Sequence, residues 1–386
     1  MTPRAVTGLG VLSALGIGRE AVFAGLREGG VPAERITVLD RAKLDGPKLR
    51  VVEVPDFDAT RFLGDKGLRS LDRQTKLLVV AARLALQDAG LKKDGAFVAL
   101  GPDQVGLCAS NAYGSLEAVV ELDRIAVLED PRYINPAKFP NTVANSASGY
   151  VSIWEELRAL NVAVSDGNAG ALDTVTCADV YLETGRADAI VVGGGEALSE
   201  PLYVAFQRLG SLVRESLLGE GAALFVLETL ASAQTRQARV DALVVGTGNA
   251  FEPPPEPGRL LHASKTAMKS AIEQALHDAG AQASEIDLVV SGVGQRGAFA
   301  DAELAGIAGA LGESVPVAAP KHVFGETLGA SGALGVVAAL AFLQGVPVRA
   351  LARGVSPAGR EVRKVVVTTL GFYGNASAVV LERTHG

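Results

Sequence analysis

Residues 162–197 contain the stretch in which a reactive side chain would be best placed. They predict a strand, a tight turn, a helix and a second strand: β-branched residues lead to Asp166 and Gly167, and apolar residues then recur at helical spacing until Gly185. Asn168 would stand at the head of that helix. Free backbone N–H groups and the positive end of the helix dipole can stabilise an oxyanion there.

This stretch resembles the nucleophile elbow of the β-ketoacyl synthases, the condensing enzymes of fatty acid and polyketide synthesis, which have a thiolase-like fold. In that family the nucleophilic cysteine lies 25 residues before the first glycine of the pair that closes the next strand. Counting back 25 residues from Gly193 reaches Asn168. The resemblance therefore implies an asparagine at the nucleophile position, and its amide offers no thiolate chemistry.

Decarboxylative condensation also needs two polarising groups, which are histidines in most of the family. The first histidine belongs to a strand-end motif of the type V-N-A-H-G, which residues 290–294 resemble, with Val293 at the histidine position. Fixing the register on Glu303, which matches a family glutamate, places Gly292 there instead. Neither register supplies an imidazole.

The second histidine belongs to a K-x-x-x-G-H-x-x-G-A-x-G segment, which residues 321–332 resemble. Lys321 and the glycines agree with it, but Glu326 stands at the histidine position. We predict Glu326 to be ionised in the first turn of a helix spanning 326–343, where a carboxylate is a poor stabiliser of an enolate. The outline of the family's glycine-rich oxyanion and gating loop is kept by Gly371, Phe372 and Gly374.

Two cysteines and one histidine close to these positions are interpreted as structural. Cys177 lies nine residues beyond Asn168, more than two helical turns away, and Cys108 lies within a predicted strand, so both are expected to pack as small apolar residues. His322 follows the motif lysine in a predicted strand-to-helix turn. A displaced nucleophile at Cys177 is the alternative.

The sequence predicts no cofactor and no metal. Residues 292–297, GVGQRG, fit the glycine pattern of a dinucleotide site, but no acidic residue ends the following strand. The remaining histidines have no partners at metal-ligand spacing. They are His262, His277 and His385.

Composition restricts the kind of protein and its partners. The chain has 386 residues, of which 48% are hydrophobic and 20% are charged, and it is too long to form a single small hydrophobic core. A net charge of −7 without a basic cluster argues against nucleic acid or membrane partners. The mean hydropathy of +0.26 predicts a large subunit interface, since the longest apolar run, 333–343, is too short to span a bilayer. Two cysteines and no signal-peptide pattern predict a cytoplasmic protein.

Strands and helices alternate along both halves of the chain, which predicts a duplicated α/β fold. The resemblance specifies it as thiolase-like, with αβαβα layers and mixed, largely parallel sheets, in halves 1–237 and 238–386.

A long helix is predicted over 65–90, and the strand around 105–110 is expected at a dimer interface. Behind that strand, one helical face is expected to reach the partner's acyl tunnel. It consists of Tyr113, Leu116 and Val120.

Loss of all three catalytic positions, with the glycines and strand–helix junctions kept, is typical of a silent partner. Among condensing enzymes this resembles the chain-length factor, or KS-β subunit, which pairs with an active ketosynthase and meets acyl carrier protein through the complex. Two alternatives stay open. One is a ketosynthase-like enzyme of altered chemistry, such as a decarboxylase, acyltransferase or cyclase using Asn168 and Glu326, and the other is a homodimeric scaffold for acyl carrier protein.

Overall fold

The computed structural model describes residues 1–30, 32–34, 37, 39, 49–209, 217–258, 261–294, 297–357 and 359–384. Its strands are β1 (Arg4–Ser13), β2 (Gly16–Ile17), β3 (Arg50–Val52), β4 (Lys92–Lys93), β5 (Ala96–Phe97), β6 (Val105–Ser110), β7 (Asn161–Val164), β8 (Ala189–Glu196), β9 (Leu217–Gly219), β10 (Gly221–Thr229), β11 (Ala242–Phe251), β12 (Leu288–Val290), β13 (Val317–Ala318), β14 (Leu351–Arg353), β15 (Lys364–Leu370) and β16 (Asn375–Glu382). Its α-helices are α1 (Arg19–Glu28), α2 (Thr60–Leu63), α3 (Arg73–Asp88), α4 (Leu116–Leu128), α5 (Ser146–Glu155), α6 (Gly170–Glu183), α7 (Glu200–Leu209), α8 (Leu230–Thr235), α9 (Lys265–Ala279), α10 (Ala298–Leu311), α11 (Lys321–Phe324) and α12 (Ser331–Leu343).

The main sheet repeats one strand order twice. Its order is β14-β13-β12-β15-β16-β11-β1-β10-β8-β6-β7. One group of strands consists of β1, β6, β7, β8 and β10, and the other consists of β11, β12, β13, β15 and β16. When the strands of each group are numbered along the chain, both groups have the order 3-2-4-5-1 from the outside of the sheet toward its centre. In each group the fifth strand is antiparallel to both neighbours and the other four run in one direction. The predicted duplicated, mixed α/β fold is confirmed.

Both faces of this sheet are covered, which explains the nearly continuous apolar runs of its strands. Val191 packs with the outer helices α3 and α5, whereas its neighbour Val192 packs with the central helices α6 and α12. Val289 and Val290 divide in the same way between α9–α10 and the central layer. The central helices therefore lie between the two halves of the sheet, as an αβαβα arrangement requires.

Helix α12 accounts for part of the high mean hydropathy. All of its residues are buried, and they pack against both halves of the sheet within this chain. The apolar run 333–343 is therefore interior and does not belong to a subunit interface. Among the described residues, none of the helices combines the length and the apolar character needed to cross a membrane.

The predicted N-terminal ends of two helices were wrong. The helix predicted from 65 begins only at Arg73, where the Asp72 side chain accepts a hydrogen bond from the Thr75 N–H at 2.7 Å and caps it. The helix predicted from Glu326 begins at Ser331. Leu328 has a φ of +48°, which no α-helix accommodates, and the Glu326 backbone is instead paired with β9.

The strand predicted at a dimer interface, β6, is an interior strand. It is hydrogen-bonded to β8 on one side and to β7 on the other, so neither edge is free for another chain. Within the described part of the chain the sheet ends at β7, whose residues are exposed or half-buried. We propose the division between residues 237 and 238 on the repeated strand order.

Candidate functional site

The elbow between β7 and α6 presents residue 167, not Asn168, to open space. Gly167 has a φ of +56°, and a Cβ added there would meet no heavy atom within 4 Å. Asn168 is only 2% exposed, and its Oδ1 has no hydrogen-bond partner among the described residues. Position 167 is therefore the more accessible of the two, while the assignment of the nucleophile position to Asn168 stays a prediction.

Cysteine substitutions at the two positions test this difference in accessibility. In a Cys177→Ala background, we expect Gly167→Cys to be alkylated by iodoacetamide at least about tenfold faster than Asn168→Cys, because burial protects a thiol. The left-handed backbone at 167 should cost the first variant about 1 kcal/mol of stability. Circular dichroism of both variants checks that the fold is kept. Faster labelling of the thiol at 168 would contradict the greater accessibility of position 167.

The first histidine position lies against a buried carboxyl. The Glu303 carboxylate accepts hydrogen bonds from the Gly292 N–H at 2.7 Å and the Thr368 hydroxyl at 2.8 Å. Its side chain is 2% exposed, and this burial raises the pKa of Glu303 to about 7 although Lys321 opposes the shift. Val293 is itself buried. Neither register therefore supplies a polar side chain at this position.

The second histidine position is occupied by one half of an ion pair. Glu326 Oε2 accepts from Lys321 Nζ at 2.7 Å, and Oε1 accepts from the Leu328 N–H at 3.1 Å. His322 lies in α11, where its Nε2 is 3.3 Å from the Gly294 carbonyl. Lys321 is thus shared between the carboxyl groups of Glu303 and Glu326, an environment that disfavours a further anion.

The glycine-rich loop at 371–374 is tied to two other parts of the chain. The backbone N–H groups of His262 and Glu252 donate to the carbonyls of Phe372 and Gly374 at 2.8 and 2.9 Å. Gly374 has a φ of +92°, and a Cβ there would lie 2.1 Å from the Glu252 carbonyl oxygen, so only glycine fits. The loop's oxyanion and gating role stays a prediction.

The segment after β6 meets that loop. Tyr113 and Tyr373 have their hydroxyl oxygens 3.2 Å apart, and burial raises the pKa of Tyr113. The backbone N–H of Tyr113 donates to Glu196 at 3.0 Å, which fixes the segment above β8. Tyr113 lies before α4, whereas Leu116 and Val120 share one face of it. An apolar cluster contains Tyr113, Leu116 and Phe372, but not Val120.

Beside the elbow is a cavity of about 690 Å³, lined by α6, β11 and β16. Its polar wall is centred on Asp173, which accepts hydrogen bonds from Asn249 and from Ser377 Oγ. Burial raises the pKa of Asp173 to about 7. Cys177 lies one turn further along α6 and also lines the cavity.

The sequence did not indicate this wall, because its members come from strands far apart in the chain. The sequence predicts Cys177 to be a packed helix residue, yet it is half-buried and faces the cavity. Cys108 is fully buried in the core, as interpreted.

No group of three or more histidine, cysteine, aspartate or glutamate side chains in the described ranges is arranged to hold a metal ion. His262 and His277 belong to those ranges, and His385 lies outside the described residues. Two residues of the 292–297 glycine pattern, at positions 295 and 296, also lie outside them.

Comparison with known proteins identifies the family. The family model of the β-ketoacyl synthase N-terminal domain matches residues 1–233, and that of the C-terminal domain matches residues 255–350. The 3-oxoacyl-[acyl-carrier-protein] synthase 2 of Vibrio cholerae is 30% identical over 356 residues, which cover 85% of this chain and 83% of the relative.

Two solved structures share the fold over their whole length. The ishigamide ketosynthase/chain length factor matches with a TM-score of 0.89 and 26% identity, and 100% of both chains is covered. A type II polyketide ketosynthase in complex with its acyl carrier protein matches with a TM-score of 0.83 and 21% identity, again over 100% of both chains. The duplicated sheet, the elbow and these matches together show that the chain belongs to the β-ketoacyl synthase family.

Proposed function

We propose that this chain is a non-catalytic, chain-length-factor-like subunit that pairs with an active ketosynthase of a type II polyketide or fatty-acid system. It would shape the partner's acyl tunnel during decarboxylative condensation of malonyl groups delivered by acyl carrier protein. The observation that carries the proposal is the elbow: Gly167 has no side chain and Asn168 is a buried amide, so neither can hold an acyl chain as a thioester.

The two other positions support the same proposal. An enolate is an anion, and its stabilisation requires hydrogen-bond donors or positive charge aimed at the oxygen. Here the positive charge of Lys321 is already shared with Glu326 and Glu303. The likeness to a ketosynthase/chain length factor and to a ketosynthase bound to acyl carrier protein supports the choice of partners.

The purified chain alone should neither take up an acyl group covalently nor condense malonyl thioesters. Intact-mass measurement after incubation with acyl- and malonyl-loaded carrier protein checks this, with an active ketosynthase as the positive control. The physical reason is the lack of a thiol at the elbow. A stable acyl adduct on this chain would overturn the proposal.

The exposed edge of β7 supports pairing with a second chain. Leu107 in β6 and Asn111 directly after it donate to the carbonyls of Leu160 and Val164, so alternation turns the N–H and C=O of Ala163 away from β6. Large apolar side chains are exposed on elements that pack beside β7 or that line the same cavity as Val164. They are Ile153 at 73%, Val180 at 56% and Phe251 at 64%.

Co-expression with a ketosynthase should therefore give a 1:1 complex by size exclusion, and Ala163→Pro should weaken its association at least about tenfold. Proline removes the outward N–H without removing a bond to β6. Ala231→Pro, in the short surface helix α8, is a matched control for the effect of proline on stability and should leave the affinity unchanged. A chain that forms only homodimers, or stays monomeric beside the ketosynthase, would favour the scaffold alternative.

A second candidate function, an enzyme of altered chemistry, is favoured by one observation. Cys177 faces the cavity beside the elbow, and a hydrogen bond from Cys108 lowers the pKa of its thiol to about 7. Acyl transfer to Cys177 would appear in the intact-mass experiment as an adduct that Cys177→Ala abolishes.

A further inference from the structure

The two cysteines of this chain lie in contact across the interface of β6 and α6. Cys108 is fully buried in the strand, and Cys177 is half-buried on the helix. Their sulfur atoms are 4.0 Å apart, with the Cys108 thiol donating to the Cys177 sulfur. Neither residue has a role in the proposed non-catalytic function.

Helix packing places this pair in contact. Gly170, in the first turn of α6, lies against Ser110, since a Cβ at 170 would come within 2.4 Å of the Ser110 hydroxyl oxygen. Cys108 precedes Ser110 by two residues and therefore shares its face of β6. Cys177 follows Gly170 by seven residues, or two helical turns, and shares its face of α6. The two cysteines therefore lie in the same contact between β6 and α6 as Gly170 and Ser110.

The two thiols differ in their access to solvent. Cys177 lines the cavity of about 690 Å³ together with Thr176, Val180 and Phe251. Cys108 lies behind it in the core. The hydrogen bond from Cys108 lowers the pKa of Cys177, and the same contact together with burial raises the pKa of Cys108. A small oxidant entering the cavity therefore meets the more acidic thiol first.

We propose that Cys177 and Cys108 are a peroxide-reactive pair that closes to an intramolecular disulfide. The Cys177 thiolate attacks one oxygen of a hydroperoxide and the O–O bond breaks, which leaves a sulfenic acid on Cys177 and releases hydroxide or alkoxide. The Cys108 sulfur then attacks the Cys177 sulfur, the S–O bond breaks, and water leaves with the Cys108 proton. With hydrogen peroxide, two thiols and one peroxide give one disulfide and two waters.

Closure requires the two sulfur atoms to move toward each other. A disulfide has an S–S distance of about 2.05 Å, so the sulfurs must approach by about 2 Å. The new bond would join the helix that begins at the elbow to the strand that leads to Tyr113. It would enclose α4, α5 and β7 in one covalent loop. The inference is independent of the proposed function, because it requires no acyl substrate and no partner.

Peroxide treatment of the purified full-length chain tests the pair. Hydrogen peroxide should lower the intact mass by about 2 Da, give a proteolytic peptide pair joining Cys108 to Cys177, and be reversed by dithiothreitol. In Cys108→Ala, the reaction should stop at a sulfenic acid on Cys177 that dimedone traps. In Cys177→Ala, Cys108 should stay reduced. Cys108→Ser serves as a second variant should the alanine variant fold poorly.

Three outcomes would overturn the proposal: sulfinic acid on Cys177 of the wild type with Cys108 still reduced, disulfide-linked dimers in place of the internal bond, or no reaction of either thiol. In the reduced wild type, iodoacetamide should also label Cys177 at least about tenfold faster than Cys108, because only the former faces the cavity.

Discussion

Replacing Lys321 with methionine should destabilise the protein by about 3 kcal/mol at pH 8. Lys321 is 8% exposed and pairs with Glu326, itself 15% exposed, while it also lowers the pKa of the fully buried Glu303. Removing one partner of a buried ion pair leaves uncompensated charge, and here it leaves two carboxyl groups without their cation. Urea unfolding of the variant and the wild type measures the loss.

The pH dependence of that loss separates the contribution of Glu303 from that of Glu326. Burial raises the pKa of Glu303 to about 7 in the folded protein. The protonated carboxyl therefore contributes stability that is present at low pH and is lost as pH rises through about 7. Without Lys321 that pKa rises further. The cost of Lys321→Met should therefore be much smaller at pH 5.5 than at pH 8, and equal costs at the two pH values would contradict this account.

Lys269→Met is a matched control for the change in side chain. Lys269 pairs with Glu273 on the surface of α9 at 3.5 Å, and both side chains are about half exposed. A surface pair of this kind contributes less than about 0.5 kcal/mol. A loss as large as that of Lys321→Met would show that the effect is not one of burial.

Product length in the reconstituted complex should increase with Leu116→Ala and decrease with Leu116→Trp. Leu116 packs at the start of α4 in the apolar cluster with Tyr113 and Phe372, next to the glycine-rich loop. Under the proposed function, this surface faces the partner's tunnel, and truncation to alanine removes about the volume of three carbons. That volume corresponds to roughly one further extension unit, which mass spectrometry of the products resolves.

The alternative is that Leu116 only packs its own chain or the interface. Its half-buried side chain predicts a stability loss of about 1–2 kcal/mol for the alanine variant in either case, so the complex must first be shown intact by size exclusion. Val119→Ala is the control, since Val119 lies on α4 outside the cluster and is 42% exposed. Unchanged product lengths for both Leu116 variants would show that this segment does not measure the chain.

The sequence was sufficient for the fold because the fold depends on local patterns repeated in order. Runs such as the one in β8 predict strands covered on both faces, and the alternation with helices predicts the duplicated sheet. The errors lay where distant contacts decide. Glu326 looks like a helix N-terminus in sequence, yet its backbone pairs with β9, about a hundred residues earlier in the chain. Which strand forms the sheet edge is likewise a property of non-local pairing.

The position of the elbow could be predicted from the sequence, but the walls beside it could not. Counting from Gly193 selects Asn168, whose role stays a prediction, and the left-handed backbone and the open space belong to the neighbouring Gly167. Counting residues along the chain does not show which side chain is buried. The contact of Tyr113 with Tyr373 was not predictable for a similar reason, since it joins opposite ends of the chain.

The central position of β1 has a consequence for how the chain folds during synthesis. Val6 pairs with Leu227 in β10, 221 residues later, and Arg4 to Val6 pair with β11. At about 10 residues per second, a ribosome exposes the apolar first strand for roughly 20 s before its partner emerges. Contacts this distant make folding slow. Newly made chains should therefore depend on chaperones that hold β1, and destabilising β10 should lower the soluble yield more than it lowers the stability of the finished protein.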